Sequence, residues 1–337
     1  MSYNLDIHSL GLSISMTIQS FNHTSVLSKQ MIDPLDVKQG DIAIDCTGGG
    51  GGHSALLLEK LGATGRLFCI DQDESAITHL RQRFQNEISQ NRVVLIQAPF
   101  SQISDIAKEH NIEGKISAVI ADLGVSSAQI DQSERGFSFR QAGPLDMRMN
   151  QNSPLSLDFV LKTYSVENLA QIFRDFGEEP KAKAIAKAIV KRREEQPFSD
   201  TLDLATVIAK AIPYSSKSKK HPATKAFQGL RIHINKELDE LKSLLAQAFS
   251  LLKQDGFLAV ISFHSLEDRI VKRFYQEKAF GKPKDPILQK LPIQNQEEEL
   301  QAKILKPFPM VADEEETAKN PRARSAKLRI LQKTVHL

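Results

Sequence analysis

The chain has 337 residues, with 44 Lys and Arg against 41 Asp and Glu, 41% hydrophobic residues, 25% charged residues, two Cys and no Trp. This composition excludes a disordered chain, a disulfide framework and zinc-ligand cysteine spacing, and no stretch approaches the roughly 18 apolar residues of a membrane span. With no secretory signal at the N-terminus, the expectation is a soluble, cytoplasmic protein of more than one domain, with no membrane and no metal, whose net charge of +3 neither demands nor excludes a nucleic-acid partner.

Residues 1–20 carry no periodic pattern and predict a disordered N-terminal extension, with Met16 as an alternative start. Strand-like and helix-like segments then alternate. Asp41–Asp45 is a short apolar run ending in an acid, a glycine cluster follows, and Ser54–Leu61 predicts a helix stopped by Gly62. Arg66–Asp71, Arg92–Gln97 and Ile116–Asp122 predict three more strands, with a helix over Ser75–Phe84 between the first two. Strands separated by helices predict a parallel sheet covered on both faces. From 131 to 222 the pattern turns helical, most clearly at Lys181–Glu195, where Ala182, Ile185, Ala186, Ile189 and Val190 form one apolar stripe and Lys183, Lys187 and Lys191 line another face. The strand pattern resumes after one long amphipathic helix over Lys225–Lys253, with a strand at Gly256–Phe263, a helix at Leu266–Phe280 and a last strand at Ser325–Leu331. Residues 281–320, rich in Pro and Glu, predict a long surface loop. The expected organisation is therefore one α/β domain in two segments, 21–130 and 223–337, interrupted by an inserted helical domain at 131–222.

The glycine cluster carries the first chemical signal. In Asp45-Cys-Thr-Gly48-Gly-Gly50-Gly-Gly52-His53 a strand ends in an acid and its loop opens a helix, the setting in which backbone N–H groups bind a nucleotide. The dinucleotide spacing G-x-G-x-x-G fails, because its last place falls on His53 or Ser54, and no Lys-Ser/Thr follows as in a phosphate-binding loop. The shorter spacing Gly48, Gly50, Gly52 resembles the first motif of S-adenosylmethionine-dependent methyltransferases. Asp71 ends the second strand, where a carboxylate can take the two hydroxyls of a ribose; Phe100 follows the third, where a ring can pack on adenine; Asp122 ends the fourth, beside the switch point of an open sheet.

Longer motifs extend the likeness. Gly51–Ser54, Asp122–Ile130, Glu134–Phe139, Gly143–Met149, His221–Thr224, Ile261–Arg273 and Asn320–Ser325 resemble those of the bacterial 16S ribosomal RNA cytosine-N4 methyltransferases, the RsmH or MraW family, and the resemblance runs from about His23 to Lys333. It implies a class I, Rossmann-like methyltransferase fold with an inserted helical domain. The activity it implies is methylation of the exocyclic N4 of a cytidine in the decoding centre of 16S rRNA of the small ribosomal subunit. Carried over by motif, the S-adenosylmethionine contacts fall on Gly51, Gly52, His53, Asp71, Phe100, Asp122 and Gln129. Two departures are residues 1–20, which have no counterpart, and a longer stretch between Asp71 and Phe100.

Asp122 is the candidate catalytic residue, as the acceptor that localises the N4 lone pair. It is followed by Leu-Gly-Val-Ser rather than an aromatic, so Phe137, Phe139, Phe263 and His264 are the candidates to stack on an extruded base. Candidates for phosphate contacts are Arg135, Arg140, Arg148, the lysine stripe, Lys217, Lys219, Lys220, Arg322 and Arg324. Two competing readings are a nicotinamide-dependent oxidoreductase, which shares the sheet and Asp71, and a non-catalytic rRNA-binding assembly factor. Monomer and homodimer are both open.

Overall fold

The structure is a computed structural model that describes residues 25–212, 221–281 and 300–335. The expected α/β alternation forms around one sheet: β1 (Ile42–Asp45), β2 (Arg66–Asp71), β3 (Val93–Gln97), β4 (Ile116–Asp122), β5 (Leu252–Ser262), β6 (Ala302–Ile304) and β7 (Lys327–Lys333). Their spatial order is β3-β2-β1-β4-β5-β7-β6. The first five are parallel, β7 pairs antiparallel with β5, and β6 pairs antiparallel with β7 at the edge. This is the class I, Rossmann-like arrangement expected above. Strands β1, β2 and β4 are near-continuous apolar runs because helices cover both faces of a parallel sheet. One face packs α1 (Ser28–Ile32), α2 (Gly52–Leu61) and α3 (Glu74–Arg83), which α4 (Gln85–Ser89) follows; Met31, Leu57, Leu61 and Leu80 are fully buried there.

The other face packs α5 (Ile103–Glu109) and two later helices, α12 (Glu237–Leu251) and α13 (Ser265–Phe280), with Leu244, Ala248 and Tyr275 fully buried. After β4 the chain makes the short α6 (Ser127–Asp131) and then leaves the sheet. Helices α7 (Leu157–Thr163), α8 (Val166–Asp175), α9 (Ala182–Glu195), α10 (Thr201–Ala211) and α11 (Ala223–Ile234) enclose a separate apolar core around Leu161, Phe173, Ile185, Ile189, Leu204 and Leu230. Ser156, Ser165 and Asp200 cap three of these helices by accepting a backbone N–H each. No helix among the described residues is long and apolar enough to cross a membrane.

Three expectations are corrected. The single helix over Lys225–Lys253 is two helices, α11 and α12, because Lys236 turns into the left-handed region at φ 51° and Glu237, Asp239 and Glu240 open the new helix at its positive end. The hydrophobic repeat runs on through the turn, so periodicity alone does not reveal it. Second, the described part of the loop predicted at 281–320 holds β6 and α14 (Glu314–Lys319). Glu316 of α14 accepts hydrogen bonds from the Leu27 N–H at 2.5 Å and Gln30 Nε2 at 3.2 Å, which ties the chain's first described segment to its last. Third, the final strand starts later and runs to Lys333, and β5 starts earlier, at Leu252. Residues 1–20 and Lys217, Lys219 and Lys220 lie outside the described residues.

The break after α11 also anchors the loop that leads into the helical unit. Asn235 donates from Nδ2 to the Met147 carbonyl at 2.9 Å and accepts the Met149 N–H on Oδ1 at 2.8 Å. Replacing Asn235 by Ala removes both bonds and strands two backbone groups, so urea unfolding of Asn235→Ala is expected to show a loss of about 2 kcal/mol.

Candidate active site

The strand order reverses between β1 and β4, and the crevice at the carboxyl ends of these strands is where an open sheet binds ligands. Local bonds shape the first wall. Asp45, 1% exposed, accepts the Thr47 N–H on Oδ1 and the Ser54 hydroxyl on Oδ2 at 2.6 Å, which bends the chain from β1 into α2. Gly48 N–H bonds to the Ile70 carbonyl, and Gly49 N–H to Asp71 Oδ2 at 2.9 Å. Gly51 sits at φ 74°, the left-handed region that favours glycine. At Gly52 a Cβ would lie 1.9 Å from Ser25 Oγ, so only glycine lets the N-terminal segment cross the start of α2. A Cβ on Gly50 would meet nothing within 4 Å, which leaves the loop open toward the crevice.

The crevice holds a cavity of about 410 Å³, the size range of nucleoside-scale ligands. All seven residues anticipated as cofactor contacts share its wall: Gly51, Gly52, His53, Asp71, Phe100, Asp122 and Gln129. Asp71 uses one oxygen for Gly49 and the other for the Asp73 N–H, and burial pushes its carboxyl up to about 6. Gln129 donates to Asp73 Oδ2 at 2.7 Å and takes the Ser126 N–H on its amide oxygen.

Asp73, which the sequence reading missed, is thus the hub of this wall. It caps α3 through Ser75 and also pairs with Arg135 at 2.7 Å. Arg135 is 8% exposed and donates to the carbonyls of Arg148 and Met149, so it is an internal strut rather than a phosphate contact. Arg148 is likewise occupied, bidentate on Asp146 at 2.6 and 2.9 Å. Phe137 and Phe139 pack on the helical core, away from the cavity; of the four candidate rings only Phe263 and His264 line it. Phe263 lies beside Gly124, whose Cβ would be 3.8 Å from the ring.

The far wall pairs Arg231 and Glu237, which no motif singled out, with His264 and Glu267 of the Ile261–Arg273 motif. Arg231 forms a bidentate pair with Glu237 at 2.9 and 2.8 Å across the break between α11 and α12. His264 and Glu267 form a capping box at the start of α13. The signal for the latter was His-Ser-Leu-Glu ahead of an apolar-periodic run. Glu237, His264 and Glu267 offer ligand atoms within 4.8 Å of one another, but the Arg231 guanidinium occupies both oxygens of Glu237, where a metal ion would need them.

Asp122 stands where these walls meet. Its N–H donates to Thr47 Oγ1 at 2.7 Å. Its side chain is 24% exposed, onto the cavity, and Oδ1 is enclosed without a hydrogen-bond partner. Oδ2 lies 3.8 Å from His53 Nδ1. Burial pushes the carboxyl up to about 6, with Asp45 and Glu267 adding to the rise and His53 opposing it. A largely buried carboxylate whose other oxygen, Oδ2, opens on a ligand cavity without a hydrogen bond can accept a proton or hydrogen bond from whatever the cavity holds.

Of the three basic segments, the last reaches the cavity through Arg322, which also lies 3.7 Å from Asp131. Arg329 within it is 3% exposed, paired with Asp268 and stacked on Phe308 at 4.1 Å, and belongs to the core. Lys183, Lys187, Lys191, Arg140 and Arg324 are exposed.

Residues 20–334 match the MraW methylase family. The ribosomal RNA small subunit methyltransferase H of Magnetococcus marinus is 46% identical over 316 residues, which cover 93% of this chain and 99% of that protein. Among solved structures, a protein from Clostridium thermocellum proposed to be an rRNA methylase aligns with a TM-score of 0.42 at 14% identity, over 92% of this chain and 99% of that one. An S-adenosylmethionine-dependent O-methyltransferase from Thermotoga maritima aligns with a TM-score of 0.40 at 12% identity, over 94% and 69% of the two chains. On the match across nearly its whole length and on the identity to the Magnetococcus protein, the chain belongs to the MraW methylase family.

Proposed function

We propose that the protein transfers a methyl group from S-adenosylmethionine to the exocyclic N4 of a cytidine in the decoding centre of 16S rRNA in the small ribosomal subunit. The observation that carries this reading is Asp122: a largely buried carboxylate that opens on the cavity through Oδ2, which makes no hydrogen bond, at the end of β4, between a glycine-lined ligand wall and an aromatic one. The name of the Magnetococcus relative supports the class of RNA. The nicotinamide reading rests only on the shared sheet and Asp71, and a non-catalytic factor would have no use for the vacant carboxylate.

The residues present fit the cofactor. The open glycine face offers backbone N–H groups at the start of α2, the Asp71 oxygens retain lone pairs for ribose hydroxyls, and Phe100 offers a ring for adenine. When bound, S-adenosylmethionine supplies an electrophilic methyl on a sulfonium. Placement then does most of the work, since a well-oriented intramolecular displacement can have an effective molarity of about 10⁵ M or more. The cytosine amine is a poor nucleophile because its lone pair is delocalised into the ring. Asp122 Oδ2, the oxygen not sealed from the cavity, accepting an N4–H, localises that pair and takes up the charge that develops as the bond forms. Phe263 and His264, on the wall facing the glycine loop, are the side chains placed to hold the base. The exposed lysines of α9, with Arg140 and Arg324, are the proposed phosphate contacts of the helical unit and the C-terminal approach.

Incubating the protein and S-adenosylmethionine with under-methylated small subunits should yield N4-methylcytidine by nucleoside mass spectrometry; its absence would overturn the reading. Asp122→Asn is expected to lower the single-turnover rate at saturating cofactor by roughly 100-fold or more while leaving cofactor affinity nearly unchanged. Its effect on stability has the opposite sign. The folded-state pKa of Asp122 is raised from 3.8 to about 6, so its contribution to stability is complete below pH 3.8 and is lost as pH rises through about 6. The ligand-free variant, which cannot ionise, should therefore gain on the order of 2 kcal/mol over the parent at neutral pH and nothing in acid, as thermal melts at the two conditions would show. Reversing Lys183 and Lys187 to Glu should weaken subunit methylation and flatten its dependence on salt, with cofactor titration unaffected.

A further inference from the structure

We propose that His53 is the positioning residue that takes the substrate's proton from Asp122 and so returns Asp122 to its anionic form within the closed site. The inference rests on the reading of Asp122 above and extends it to a residue whose family resemblance marks it only as a cofactor contact.

The ring of His53 is nearly enclosed, 6% exposed, at the first turn of α2. Its Nε2 lies 2.9 Å from the Val26 carbonyl oxygen. A carbonyl only accepts, so Nε2 carries the hydrogen, and in the neutral ring Nδ1 is left as an acceptor. Nδ1 faces Asp122 Oδ2 at 3.8 Å. Two acceptors thus face each other across a gap slightly longer than a hydrogen bond, an arrangement that only a proton between them makes attractive. Val26 is itself held, because the next residue, Leu27, donates its N–H to Glu316. The tautomer of His53 is in this way set by the N-terminal segment and α14, far from the reacting atoms in sequence.

The other ionisable groups acting on this pair are Asp45 from β1 and Glu267 from α13. The oxygens of Asp45 are engaged by Thr47 and Ser54, and Glu267 Oε2 accepts the Phe263 N–H, so neither is poised as His53 is to take a proton from Asp122. These two negative groups beside Asp122 make a protonated Asp122 easier to form. Burial acts on Asp122 in the same direction.

The proton count closes. As the N4–C bond forms and the S–C bond breaks, N4 becomes a methylated cation and gives one hydrogen to Asp122 Oδ2. The acid O–H then turns about its Cγ–Oδ2 bond and passes that proton to His53 Nδ1, 3.8 Å away. Asp122 is again an anion, His53 is an imidazolium held by the Val26 carbonyl, and the proton leaves to solvent once the RNA departs.

The test uses the full-length protein and two variants. His53→Gln keeps an N–H donor for the Val26 carbonyl and removes the acceptor at Nδ1. His53→Asn keeps a polar, non-titrating group beside Asp122 and gives up Val26. Infrared titration of the ligand-free protein, with the carboxylic-acid band of Asp122 assigned by subtracting Asp122→Asn, should show its ionisation midpoint moving to higher pH in both variants; the two respond alike, so either one suffices if the other fails to fold. Steady-state turnover of His53→Gln at saturating S-adenosylmethionine and subunits should fall roughly 100-fold near neutrality and recover as pH rises, with cofactor affinity nearly intact. An unmoved midpoint, or a rate within about threefold of the parent, would overturn the proposal. So would a loss of rate matched by a loss of cofactor affinity, the pattern of a purely structural role. A parent protein that binds cofactor and methylates no RNA would instead overturn the functional reading, while the infrared midpoint still reports on the pair.

Discussion

Asp45 and Asp122 end adjacent parallel strands, so the fold places two carboxylates next to each other in a buried crevice, with Asp71 one strand further on. Like charges at such a place cannot all be left ionised and unpaired. The chain resolves this by treating each acid differently. Asp45 is enclosed and satisfied by Thr47 and Ser54, and it shapes the glycine loop; Asp71 braces that loop from outside through Gly49. Of the three, Asp122 alone keeps an enclosed oxygen without a partner, while burial and the neighbouring acids raise its carboxyl to about 6. The acid left unsatisfied is one that faces the cavity.

The remaining walls are built to hold this edge still. Asp73 gathers the N-terminus of α3, the amide of Gln129 and the guanidinium of Arg135 into one buried junction, and Arg135 reaches on to the Arg148 and Met149 carbonyls. Asn235 then grips the same loop from the other side, at the turn between α11 and α12. The helical unit is therefore fastened to the sheet at the cavity itself, through the hydrogen bonds of Asp73 with Gln129 and Arg135, 56 and 62 residues further along the chain. A connection of this kind couples the element that would meet a large RNA to the groups that would meet its base.

Much of the fold was legible because its signals are local. Strands β2 and β4 have the bounds their apolar runs suggested, Gly62 closes α2, and the stripe of Ala182, Ile185, Ala186 and Ile189 is the buried face of α9. The seven residues expected around the cofactor all reach one cavity, since each sits at the end of a strand or in the loop that follows it, where sheet geometry alone brings them together. The errors have a common cause as well. Charge alone marks Arg135 and Arg148 as phosphate contacts, yet they spend that charge on Asp73 and Asp146. The helix over Lys225–Lys253 was read by its hydrophobic repeat, which a single left-handed residue at Lys236 interrupts without changing the pattern.

The sequence by itself determined the parallel sheet, the glycine loop, the strand-end acids and the family, because periodicity, turn chemistry and motif spacing are properties of neighbouring residues. Tertiary structure alone decided which acid is satisfied and which is vacant, that His53 turns its acceptor nitrogen toward Asp122, and that Arg231 and Glu237 close the far wall. Those outcomes depend on burial and on partners distant in the chain, such as Val26 for His53, and a charge or a lone pair acquires its meaning only from what faces it across the packed interior.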